Sequence, residues 1–164
     1  DGKMPSFKIW KHLGLEYKYP SVEKDYLNKC FTVNRNFYSI AKKLRKKYNL
    51  AILSNDVKEW SDYLRKKYDI NRFFKVIIIS GEVKARKPEK KMFNILLERM
   101  KAKSSNCIFI DDMVKNLIPA KKLGFKTIKF APACKSSKDK HHHDYEIDSF
   151  SKLPKALKKI FFSC

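Results

Sequence analysis

Four short, mostly apolar runs punctuate this chain, and stretches with helical spacing separate them. The runs are "LAILSN" (50–55), "FKVIIIS" (74–80), "CIFID" (107–111) and "KTIKF" (126–130). Runs of this length, bounded by polar or turn residues, predict strands of a parallel sheet covered on both faces. Before the first run, residues 34–48, "NRNFYSIAKKLRKKY", set Phe37, Ile40, Ala41, Leu44 and Tyr48 on one helical stripe. Lys42, Lys43, Arg45, Lys46 and Lys47 form the opposite, solvated face. Residues 57–68 predict a second helix. Pro88, suited to a first helical position, opens a third that carries Phe93, Leu96, Leu97 and Met100. A fourth runs from Asn116 to Leu123 and is stopped by Gly124. A last one, near 151–162, carries Leu153, Leu157, Ile160 and Phe161.

Strand and helix in alternation predict right-handed βαβ units and an α/β fold, a Rossmann-like parallel sheet with helices on both faces. The chain has 164 residues, 43% hydrophobic and 13% aromatic, enough for one domain with a buried core. That content excludes a disordered tail, despite 34% charged residues. No apolar run approaches the roughly 20 residues of a membrane span, and no signal-peptide pattern opens the sequence. Cys30, Cys107, Cys134 and Cys164 are scattered with no CxxC, which predicts reduced thiols and a cytoplasmic protein.

Ligands of open parallel sheets sit beyond the carboxyl ends of the strands. That rule gathers Ser54 and Asn55, the loop "SGEVKARKPEK", and Asp111 with Asp112 at one edge. A hydroxyl and an amide donate hydrogen bonds to phosphate oxygens. Lys87 can neutralise a phosphate as a point charge, and Pro88 biases it toward an extended backbone. Two adjacent carboxylates suit Mg²⁺, which takes one or two of them with waters and substrate phosphate. Each signal alone is weak, since an Asp pair after a strand also serves as a helix cap. Their order, each after its own strand, is far more specific.

With these motifs the chain resembles the haloacid dehalogenase-like hydrolases, in the branch with an early-inserted helical cap. "AILSN", "SGEVKARKPEKKMF" and "IFIDDMVKNLIPAKKLGFKTI" resemble that family's second, third and fourth motifs, and "DYEIDSFSKLPKAL" its closing strand and helix. The resemblance implies Mg²⁺-dependent hydrolysis of phosphate monoesters through an aspartyl-phosphate, with a small phosphorylated substrate. It implies that Ser54, Asn55 and Lys87 bind the phosphoryl group, with Ser54 and Lys87 catalytic, and that Asp111 and Asp112 hold the metal. It also divides the chain into a partial helical cap segment, 1–33, and a core domain, 34–164.

The family's first motif, a strand ending in Asp-x-Asp whose first Asp is the nucleophile, has no counterpart here. "DG" at Asp1 and Gly2 follows no apolar strand and lies too close to "LSN" to leave room for a cap. In the family that strand lies in the middle of the sheet, between those carrying "LAILSN" and "CIFID". Without it both neighbours are expected to present open backbone edges. Two expectations follow: a fragment of a complete enzyme lacking its N-terminal part, or a degenerate, catalytically inactive binding or regulatory paralogue. The net charge of +21 leaves a third, a basic protein associated with nucleic acid, although the cations are spread through nearly every helix. His141, His142 and His143 could bind metal, but consecutive residues point different ways and a solvated loop accounts for them. Trp10 and Trp60 read as packing residues or as substrate contacts from the cap neighbourhood, and Cys107 as a small core residue.

Overall fold

A computed structural model describes residues 4–132 and 142–162. Two helices come first, α1 (Ser6–His12) and α2 (Ser21–Cys30), followed by α3 (Phe37–Leu44). Then come β1 (Ala51–Ser54), α4 (Lys58–Lys67), β2 (Val76–Ile79), α5 (Ser80–Val83) and α6 (Lys90–Met100). β3 (Ile108–Asp111), α7 (Val114–Lys122), β4 (Lys126–Phe130), β5 (Tyr145–Ile147) and α8 (Leu153–Phe162) complete the order. No helix of the described residues is long and apolar enough to cross a membrane. Cys30 and Cys107 are free thiols, and Cys134 and Cys164 lie outside the described residues.

All strand pairing among the described residues is parallel, as the continuous apolar runs predict, and helices cover the strands. The strands form two sheets. β1 pairs with β2 in the register Ala51↔Val76 to Ser54↔Ile79. β3, β4 and β5 form the other, with Asp111↔Lys129 at the end of its first ladder. No strand of the described residues joins β1 to β3, so each keeps one unpaired edge, as the absent central strand predicts.

Helices connect what hydrogen bonds do not. Phe93 of α6 is fully buried, with its ring 5.2 Å from Phe109 of β3 and 5.9 Å from Phe125 before β4. The same cluster takes in Ile78 of β2, with Ala51 and Leu53 of β1 packed against it. A second cluster sets Ile128 and Ile147 against Leu153, Ala156 and Leu157 of α8, with Ile40 and Leu44 of α3 alongside. Phe93, Ile40, Leu44, Leu153 and Leu157 among them are stripe residues of the predicted helices.

Several boundaries shift for local reasons. The first predicted helix begins at Phe37 and not at residue 34, because the Asn34 side chain accepts the Asn36 N–H (2.9 Å) and closes a competing turn. It ends at Leu44, short of residue 48, as a run of turns through the clustered cations. Pro88 precedes α6 by two residues: the Glu89 N–H bonds back to the Arg86 carbonyl (2.8 Å), and the helix starts at Lys90. Ser80 and Gly81 do not end in an open loop but begin the single turn α5. Gly81 is needed there, since a Cβ would stand 2.7 Å from the Lys58 nitrogen and 3.0 Å from the Asp56 carbonyl oxygen.

The α1–α2 pair is fastened to α4 by one carboxylate. Glu23 Oε2 accepts hydrogen bonds from both Trp10 Nε1 and Trp60 Nε1, each at 2.8 Å, while Tyr26 packs edge-on or tilted against both indoles. Glu23→Ala strips the acceptor from both N–H groups and is expected to cost about 2–6 kcal/mol at about 1–3 per orphaned donor. Trp10 and Trp60 are the only tryptophans, so a red-shifted emission maximum reports the loosening directly.

The entry to β5 depends on Asp144. Its Oδ2 accepts from the Thr127 N–H (2.7 Å) and hydroxyl (2.9 Å), and its Oδ1 pairs with Lys121 Nζ at 2.8 Å. Desolvation pushes this carboxyl up, but Lys121 and Thr127 together outweigh it and hold it below the usual carboxylate range. A depressed folded-state value contributes stability that is present above the unfolded carboxylate value, about 3.9, and lost as pH falls through the folded one. Asp144→Ala is expected to cost about 1–3 kcal/mol at pH 7. Urea titrations should show the gap between parent and variant closing as the pH drops below about 4.

Candidate active site

Parallel register brings the carboxyl ends of β1 and β3 to the same edge of the molecule, and a lysine bridges them. Lys87 Nζ lies 2.6 Å from Asp111 Oδ2, with the two side chains only 12% and 4% exposed. The Lys87 ammonium also sits 5.6 Å from the centre of the Phe109 ring. From the β1 side, the Asn55 amide grips the Lys87 backbone twice. Its Nδ2 donates to the Lys87 carbonyl at 2.9 Å, and its Oδ1 accepts the Lys87 N–H at 2.7 Å. Asn55 is thus engaged in holding the lysine, with one amide proton left over. Ser54, half-buried at the end of β1, makes no hydrogen bond through its hydroxyl among the described residues.

Asp111 is held on its other oxygen as well. Oδ1 accepts the Met113 N–H (2.8 Å) and Asn116 Nδ2 (3.0 Å). It does not cap α7, whose N-cap is Met113. Asp112, the next residue, is exposed and makes no bond to other described residues. Asn116, 3% exposed, keeps its Oδ1 buried with no hydrogen-bond partner among the described residues. Sequence reasoning passed over Asn116 as the start of a helix. The available signal was an amide among the apolar residues Leu117 and Ala120 on the buried face of that helix. It also passed over the lock beneath the site, where Ser80 Oγ accepts the Asp56 N–H (3.0 Å) and donates to the Asp56 carbonyl (3.1 Å). Burial pushes the Asp56 carboxyl above its ordinary value, against the Val57 N–H that it accepts at 2.8 Å.

Asp111 and Asp112 are hard oxygen donors at one strand end. They could supply part of a Mg²⁺ coordination sphere, which water and phosphate would complete. Among the described residues no group of three or more His, Cys, Asp or Glu side chains gathers to hold a metal. That includes His142 and His143, while His141 lies outside the described residues. His143 is 3.4 Å from Glu146, and burial lowers its pKa. Cys107 precedes β3, donates from Sγ to the Lys103 carbonyl at 3.3 Å, and is pushed up in pKa by burial.

A family model described as haloacid dehalogenase-like hydrolase matches residues 32–130, a span that contains every residue of this site. The chain belongs to that family. Among curated relatives, mouse bifunctional epoxide hydrolase 2 is 32% identical over 105 residues, which are 59% of this chain and 18% of that protein. The glyceraldehyde 3-phosphate phosphatase of Pyrococcus furiosus is 27% identical over 162 residues, 93% of this chain and 67% of that one. A crystal structure of a HAD phosphatase from Thermococcus onnurineus superimposes with a TM-score of 0.78 at 25% identity. The match covers 90% of this chain and 68% of that one. This member of the haloacid dehalogenase-like family thus spans less than a fifth of the mouse relative and about two thirds of the two archaeal ones.

Proposed function

We propose that the complete protein hydrolyses small phosphate monoesters with Mg²⁺, through an aspartyl-phosphate, and that this chain supplies the site residues other than the two acids of the Asp-x-Asp motif. The observation that carries the reading is the desolvated Lys87–Asp111 pair at the strand ends, clamped by Asn55, the residue after Ser54, whose hydroxyl makes no hydrogen bond among the described residues. In this reading Ser54 and the spare amide proton of Asn55 donate to phosphoryl oxygens. Lys87 offsets the charge of phosphate and attacking carboxylate, a fixed cation aimed where negative charge accumulates. Asp111 holds Lys87 in place, and Met113 N–H and Asn116 hold Asp111. Asp111 and Asp112 would hold Mg²⁺, which when bound neutralises phosphate charge and orients the ester. Residues 1–33 would belong to the cap over this edge.

The 164 residues contain no Asp-x-Asp. The 164-residue chain alone is therefore expected to release no phosphate from an aryl phosphate with Mg²⁺, whereas the protein carrying an upstream Asp-x-Asp strand should turn over. Metal-dependent turnover by the 164-residue chain, lost on Asp112→Asn, would overturn the assignment of an external nucleophile. The same absence favours a second reading, an anion-binding protein without turnover. Saturable phosphate binding at Lys87 without hydrolysis by any longer form would establish it.

A further inference from the structure

Beside the phosphate edge lies a cleft of about 550 Å³ between α1 and the turn from β1 into α4. That is ample for a small ligand. It shares Asn55 with the candidate site. Its lining includes the apolar Met4 and Pro5 just before α1, Ile9 of α1, and Trp60, the ring that Glu23 pins in place. The lining also includes Arg86, the residue before the clamped lysine. The backbone bonds that fix Lys87 therefore fix where Arg86 departs as well.

The charges around the cleft are unequally occupied. Lys58 is tied to Asp62 at 2.9 Å. Asp56 accepts the Val57 N–H, and burial disfavours its ionised form. Glu59 lies exposed in the first turn of α4. Arg86 is exposed and its guanidinium has no hydrogen bond or ion pair among the described residues. A guanidinium is the group best shaped to receive a carboxylate or phosphate in two-pronged fashion.

We infer that this cleft is the leaving-group subsite, and that it selects phosphate esters with an apolar body and a second anionic group that Arg86 binds. The inference rests on the phosphatase reading, so its test separates the two. Binding of benzylphosphonate and 4-carboxybenzylphosphonate, neither of which can be hydrolysed, is measured by calorimetry with Mg²⁺ on the complete protein. The carboxylated ligand should bind about tenfold more tightly, the scale of one charge-assisted hydrogen bond. In Arg86→Gln the ratio should fall to about one, and in Arg86→Lys to an intermediate value. The exposed position of Arg86 keeps both variants folded, which the thermal midpoint verifies. In parallel, kcat/KM is compared for 4-carboxyphenyl phosphate and phenyl phosphate, where the same preference should appear in KM. A binding preference that depends on Arg86 without turnover would retain the subsite and remove the hydrolase. A ratio near one in the parent, a ratio indifferent to Arg86, or no binding of either phosphonate would overturn the subsite whatever the turnover.

Discussion

Lys87→Ala should destabilise the protein by about 3–5 kcal/mol, the range for removing one partner of a buried ion pair. The cause is what the substitution leaves behind. Asp111 stays 4% exposed, with the Met113 N–H and the Asn116 amide but no opposing charge. Adding Asp111→Asn removes the stranded charge and should recover much of the loss, although each substitution alone is harmful. Lys84, three residues earlier and exposed, is the matched control, and Lys84→Ala should stay within about 0.5 kcal/mol. Urea midpoints at constant m-value measure all four proteins. If Lys87→Ala cost no more than Lys84→Ala, the 2.6 Å pair would be a surface contact energetically, and its role in orienting the site would fall with it. In the active form, the same variant should lose turnover by orders of magnitude while Lys84→Ala keeps it.

Phe93→Ala should cost a similar amount, about 3–5 kcal/mol, for a different reason. Phe93 has no exposed surface, and its ring meets the edges or faces of Phe109 and Phe125. Removing it opens a cavity at the point where α6 joins Ile78 of one sheet to Phe109 of the other. Nothing in the backbone pairing compensates, because the sheets share no ladder. Phe150 provides the contrast. It stacks on Phe130 at 4.5 Å but is half-buried, so its truncation should cost about 1–2 kcal/mol. Equal losses at the two positions in thermal unfolding would mean that the aromatic cluster under α6 is not the main link between the sheets.

Much of this architecture was legible because the physics behind it is local. Continuous apolar runs such as "VIII" have no polar face to show to water, so strands buried on both sides were readable from the sequence alone. The rule that ligands gather at carboxyl ends then placed Ser54, Lys87 and Asp111 at one edge, where the structure also has them. What escaped depends on partners distant in the chain. Asn55 reads as a phosphate donor, and nothing near it foretells a pair of hydrogen bonds to the backbone 32 residues later. Asn116 marks only the start of a predicted helix in the sequence, and its bond to Asp111 depends on how the helix packs. Glu23 has no special neighbour in sequence, yet it joins indoles 13 residues before it and 37 after. The start of the first predicted helix failed on a competing short-range bond from Asn34, which hydrophobic spacing does not register.

In the 164-residue chain by itself, without the strand proposed to lie between them, the unpaired edges of β1 and β3 bear on how it behaves in a crowd. An open parallel edge with half-buried apolar side chains is a template that any extended chain can extend, including a copy of itself. The net charge of +21 works against that encounter by mutual repulsion between copies, over a range set by the ionic atmosphere. That range is about 10 Å at 0.1 M salt and about 3 Å at 1 M. The lysines therefore act as colloidal protection for a sheet in two parts, and concentrated salt or a polyanion removes that protection before it disturbs any contact inside the fold.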